Sequence, residues 1–77
     1  MNDLEANAAQ QAHNYTAKGI NGLIQHSKDQ LAELDACDKE FGENGEAVRA
    51  EARVRFEIEL RTSLRALEIR QAVPSHV

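Results

Sequence analysis

Tyr15 is the only tyrosine of the chain, and it stands in the polar segment Asn14-Tyr15-Thr16-Ala17-Lys18. A ring beside an ammonium has the parts to stack on a nucleobase while the cation meets phosphate. The plainer use of the same ring is to anchor its segment to the core. Six arginines, Arg49, Arg53, Arg55, Arg61, Arg65 and Arg70, all lie in the second half of the sequence. Arg61 and Arg65 are one helical turn apart, and the guanidinium fork suits phosphate and carboxylate geometry. Repeated by symmetry in an oligomer, such a pair would line a small anionic pocket. The alternative is that they pair with Glu57, Glu68 and the acidic first half, as surface ion pairs of small value.

Enzyme templates find no match. Cys37 and His26 are the only nucleophile and base that could be paired, yet eleven residues along one helix separate them by about 16 Å. Cys37 reads instead as a small hydrophobe near the core. There is no phosphate loop and no glycine-rich strand-to-helix turn, so the chain is expected not to be an enzyme. His13, His26 and His76 are far apart in sequence, with no partner at the spacing that presents two ligands on one helix face, so no metal or cofactor is expected. The acidic run Glu33, Asp35, Asp38, Glu40, Glu43 and Glu46 could mimic nucleic acid. It reads more simply as a solvated face whose last members favour the N-terminus of the next helix.

These residues need a scaffold, and 77 residues allow one domain with a core that is marginal without a staple. A single cysteine rules out an intrachain disulfide and fits a reducing cytosol. With metal also set aside, self-association is the expected compensation. No stretch approaches the roughly 18 apolar residues of a membrane span, and Met1-Asn2-Asp3-Leu4-Glu5 lacks the features of a signal peptide, so a soluble, cytoplasmic protein is expected. The net charge is −4. Residues 1–46 carry nine acids against three lysines, and residues 47–77 carry four acids against six arginines. That asymmetry favours antiparallel neighbours and argues against a general nucleic-acid binder.

The expected fold is all-α, an antiparallel helical hairpin with a short N-terminal arm or helix, assembling into a homo-oligomeric bundle. Residues 1–19 read as the arm and 20–73 as the hairpin, with helices over about 20–41 and 46–71 around a turn at 42–45, and 74–77 as a tail after the stop at Pro74. Ile20, Leu23, Ile24, Ser27, Leu31, Leu34 and Phe41 fall in one arc of the first long helix, with Cys37 at its margin. Gly19 and Gly22 weaken its start, so its boundary could fall a turn later. Gly42 suits the position just past that helix, and Asn44 suits the cap of the next. The second long helix carries two stripes on nearly opposite sides: Phe56, Leu60, Leu64 and Leu67, then Ala47, Val54, Ile58 and Ile69. One partner helix covers only one stripe. The other is expected to meet a second chain through Val54, Ile58 and Ile69, ahead of the alternative in which the N-terminal arm folds back over it.

The tyrosine-bearing arm, the opening Ile20-Asn21-Gly22-Leu23, and the closing Leu64-Arg65-Ala66-Leu67 before Pro74 together resemble a known family. It is the helical-hairpin sponge family that phages deploy against cyclic-nucleotide defence signalling, the anti-CBASS and anti-Thoeris proteins. The resemblance implies a phage-encoded oligomer of hairpins that sequesters cyclic di- or trinucleotides between chains without hydrolysing them. It implies base stacking by Tyr15 and a phosphate contact from Lys28. The candidate ligand-binding set is therefore Tyr15, Lys18, Lys28, Arg61 and Arg65. Leu31-Ala32-Glu33-Leu34-Asp35-Ala36 is also similar to the first arm of plasmid copy-number RNA-binding hairpins, whose basic RNA-facing surface this acidic arm lacks. A protein-interaction inhibitor, antitoxin-like or blocking a host protein, is the remaining alternative.

Overall fold

A computed structural model describes residues 3–72. It contains three α-helices, α1 (Asp3–Asn14), α2 (Ala17–Phe41) and α3 (Glu46–Ala72), and no strand among the described residues. The expected stop at Pro74, the tail 74–77 and His76 lie outside them.

Local chemistry sets each boundary. α1 opens with Asp3 and Glu5 in its first turn and carries His13 in its last, the placement a helix dipole favours. α2 starts at Ala17, three residues before the expected Ile20. The reason is Thr16, whose extended backbone and side-chain oxygen cap the helix by accepting the Gly19 N–H at 3.1 Å. The cap satisfies one of the four orphan donors of a helix start, so the two glycines are carried inside the helix. At the other end the Gly42 N–H donates to Asp38 O at 3.0 Å. Gly42 has φ 56° and ψ −121°, a region that only glycine visits cheaply. The start of α3 departs from expectation. Gly45, with φ 75°, accepts the first helical N–H, from Arg49, so Gly45 rather than Asn44 holds the cap position. Asn44 instead donates its N–H to Phe41 O.

Both α1 and α2 pack chiefly on α3. Asp38 lies against Arg49, His26 meets the Phe56 ring edge-on at 6.3 Å, and Ile20 and Ile24 join Ala66 in the core. α2 and α3 therefore run alongside in opposite senses. The extents are 54 × 28 × 15 Å, so the unit is elongated. The radius of gyration of 15.1 Å exceeds the roughly 11.5 Å of a compact chain of this length.

The core consists of Ala8, Ala12, Ile20, Ile24 and Ala66, with Leu60, Leu67 and Ile69 packed against it. Several expectations change here. The N-terminal segment folds back onto the C-terminal part of α3 within the same chain, covering Ile69 of the second stripe but leaving Ala47, Val54 and Ile58 exposed. It does so with few large apolar groups because Ala8 and Ala12 are small enough to let α1 approach Ala66 closely. Ion pairing adds to the contact. Arg65 grips Glu5 with two hydrogen bonds, Nε to Oε2 at 2.8 Å and Nη2 to Oε1 at 3.0 Å. Arg70 Nη1 donates to Ala12 O at 3.0 Å, satisfying a carbonyl at the C-terminus of α1. Ile69, assigned to a second chain by its stripe, is thus half-buried against its own core. Phe41, in the last turn of α2, is 51% exposed, and Leu64 turns 41% of its surface outward. Each sits at the margin of its arc, where the neighbouring helix gives little cover. Val54 and Ile58 stay 57% and 50% exposed.

Candidate functional site

The described residues form at least two concavities. The larger, about 660 Å³, lies beside the turn and includes Asp38, Gly42, Arg49 and Arg53. Its cations are occupied. Arg49 Nε donates to Asp38 Oδ1 at 2.6 Å, and its two terminal nitrogens donate to the carbonyls of Asn44 and Gly42. Arg53 Nη2 bridges Asp35 at 2.8 Å and Asp38 at 2.9 Å. The hydrogen bond from Arg49 holds the Asp38 carboxyl below its ordinary range against partial desolvation, with Arg53 adding to the effect. The Arg53 guanidinium is in turn held more firmly protonated, chiefly by Asp35. This cluster clamps the turn by neutralising the C-terminal end of α2 and closing loop carbonyls, which leaves no free cation there for a ligand.

The smaller concavity, about 400 Å³, is a groove shared by all three helices. α1 contributes Asn7 and Gln11, the α1–α2 junction contributes Tyr15, α2 contributes Leu23, His26 and Ser27, and α3 contributes Ile58, Glu59, Thr62 and Ser63. Tyr15 is positioned by its own N–H, which donates to Gln11 O at 2.9 Å. Its ring lies over the first turn of α2, with Cδ1 3.7 Å from where a Gly19 side chain would begin. The ring is 49% exposed, so the wall it offers is open to a flat partner. Thr62 Oγ1 is turned back to Ile58 O at 2.8 Å. Gln11 Oε1 is buried without a hydrogen-bond partner, a costly state for an amide oxygen. The groove thus offers an aromatic face, several hydrogen-bonding side chains, one carboxylate and no lysine or arginine.

The candidate ligand set is dispersed within one chain. Tyr15 lines the groove, whereas Lys18, Lys28, Arg61 and Arg65 do not. Lys18, Lys28 and Arg61 are exposed, and their side chains have no hydrogen-bond or ion-pair partner among the described residues. Arg65 is engaged by Glu5 and, at 3.4 Å, by Glu68. Its hydrogen bonds hold the Glu5 carboxyl below its ordinary range, and Glu5 keeps Arg65 more firmly protonated. Arg61 and Arg65 therefore do not act as one cationic patch in a single chain. Asn7 and Gln11 were not anticipated, although Asn7, Gln11 and Tyr15 recur every fourth residue and share one helical face. The turn clamp left a trace too, in Asp35 and Asp38 facing Arg49 and Arg53 across the turn.

Cys37 is half-buried, and among the described residues no three histidine, cysteine, aspartate or glutamate side chains gather to hold a metal. No helix of the structure is long and apolar enough to cross a membrane. Comparison with known protein families, curated proteins and solved structures finds no match to this chain.

Proposed function

We propose that this protein binds rather than catalyses, as a homo-oligomer of three-helix units that sequesters a small cyclic oligonucleotide. The groove at Tyr15 carries the reading. A nucleobase edge-lined with N–H donors can stack on the exposed ring and give a hydrogen bond to the Gln11 amide oxygen once that side chain, whose Oε1 is buried without a partner, rotates toward the groove. Base–aromatic stacking of this kind contributes about 1–3 kcal/mol per base. The groove has no lysine or arginine of its own among the described residues, so the phosphates must be met from its rim or from a neighbouring chain, where the exposed Lys18 and Lys28 have no side-chain partner among the described residues. This is why the ligand is placed between chains. The resemblance to phage sponge proteins supports the same ligand class.

Isothermal titration against a panel of cyclic di- and trinucleotides tests the reading. Binding is expected for at least one, at one base per groove, and Tyr15→Ala should weaken it by about 5- to 150-fold while leaving the helical signal intact. No heat with any member of the panel refutes it. The competing reading, a module that blocks a host protein, is favoured by the exposed Val54 and Ile58. Pulldown separates the two, because a sponge retains nucleotide and no stoichiometric protein.

A further inference from the structure

α3 presents an exposed line of residues, Ala47, Glu51, Val54, Ile58 and Arg61, whose Ile58 also forms the edge of the Tyr15 groove. Their spacing of four, three, four and three is the heptad spacing that lets one helix seam lie against another. Its centre is apolar, with Val54 and Ile58 at least half exposed, and Glu51 and Arg61 flank that centre with opposite charge. Glu51 and Arg61 have no hydrogen-bond or ion-pair partner through their side chains among the described residues.

We propose that this line docks on the same line of a second copy, the two α3 helices running antiparallel about a two-fold axis that crosses the seam at the height of residue 56, between Val54 and Ile58. The inference rests on the self-association in the functional reading above and adds its surface and register. With the axis there, Val54 meets the partner's Ile58 and Ile58 meets the partner's Val54. Glu51 meets the partner's Arg61, and Arg61 meets the partner's Glu51. One two-fold operation thus buries both apolar residues against each other and pairs both free charges with opposite ones. Sliding the partner by one heptad in either direction sets Val54 or Ile58 against a charged residue, so the sequence singles out one register. Size agrees as well. The chain exposes 5806 Å², against about 4,700 Å² for a compact monomer of its mass. The surplus exceeds the roughly 800 Å² per partner of a standard interface. This seam lies on α3, the helix against which both others pack.

The test uses the full chain and reads mass by sedimentation equilibrium over a concentration series at low salt, with far-UV circular dichroism checking the fold of each variant. Wild type is expected to associate. Glu51→Arg and Arg61→Glu each turn two attractive contacts into repulsive ones and should weaken association about tenfold. The double exchange, Glu51→Arg with Arg61→Glu, should restore it to within about threefold of wild type. Association that neither single exchange weakens, or that the double exchange fails to restore, overturns this register while leaving self-association standing. A wild-type chain that stays monomeric at every concentration overturns both.

Discussion

Ile20 is the largest side chain that is fully buried, and truncating it tests the account of the core most directly. It stands where all three helices meet, with Ala8 and Ala12 from α1 and Ala66 from α3 in the same cluster. Truncating a buried isoleucine to alanine costs about 2–5 kcal/mol, the spread reflecting how far the site can collapse. Here collapse is hindered. The alanines have no rotamers with which to fill a void, so α1 would have to move as a body, drawing Glu5 away from Arg65 and Ala12 O away from Arg70. The cost of Ile20→Ala therefore belongs in the upper half of that range, about 3–5 kcal/mol. A chain of this length has about 4–12 kcal/mol in total, so the variant should lose most of its stability. Ile20→Val, which removes one methyl group, should lose about 0.5–1.5 kcal/mol and remain folded. Urea unfolding read by circular dichroism, at one fixed protein concentration because association raises apparent stability, resolves both. Val48→Ala, at a 71% exposed position, serves as the control. An Ile20→Ala midpoint no lower than that of the control would refute the argument that three helices converge on this side chain.

Two glycines should respond oppositely to the same change. Gly22 lies inside α2 with nothing within 4 Å of an added Cβ, so Gly22→Ala should raise stability by about 0.5–1 kcal/mol. Gly42 has the same open surroundings but φ 56°, so Gly42→Ala should lower stability by about 1–3 kcal/mol through backbone strain alone; thermal melts of both variants read the sign. The carboxyls of Glu5 and Asp38 are held below their ordinary values of 4.5 and 3.8, chiefly by hydrogen bonds from Arg65 and Arg49. A folded-state value below the unfolded one stabilises at higher pH, so their contribution is complete above about pH 5 and is lost as pH falls through the folded values. The urea midpoint of wild type should therefore fall below pH 4.5, and that fall should be shallower in Glu5→Gln and Asp38→Asn. An acid slope unchanged in both would refute the assignment.

The sequence by itself determined the helical class and the principal breaks. Strong helix formers run from Glu46 to Ala72 without glycine or proline, and Gly42 and Gly45 supply the positive φ that turns the chain. Period and punctuation are local properties, so they can be read without knowing the neighbours. Thr16 was equally local, and only the two glycines beyond it hid its role as a cap. The course of the N-terminal segment, by contrast, was decided by tertiary structure. Its docking depends on alanines that fit only because Ala66 lies opposite, and on Arg65 and Arg70 arriving from some 60 positions away in the chain. The same holds for the groove. Tyr15 stood out by its type, but His26, Ser63 and Glu59 became its companions only through the packing of three helices. Ile69 and Ile58 belong to one stripe in sequence, yet α1 draws the first into the core and leaves the second exposed. Amphipathic pattern fixes which residues share a face, and only the three-dimensional path of the chain determines what that face meets.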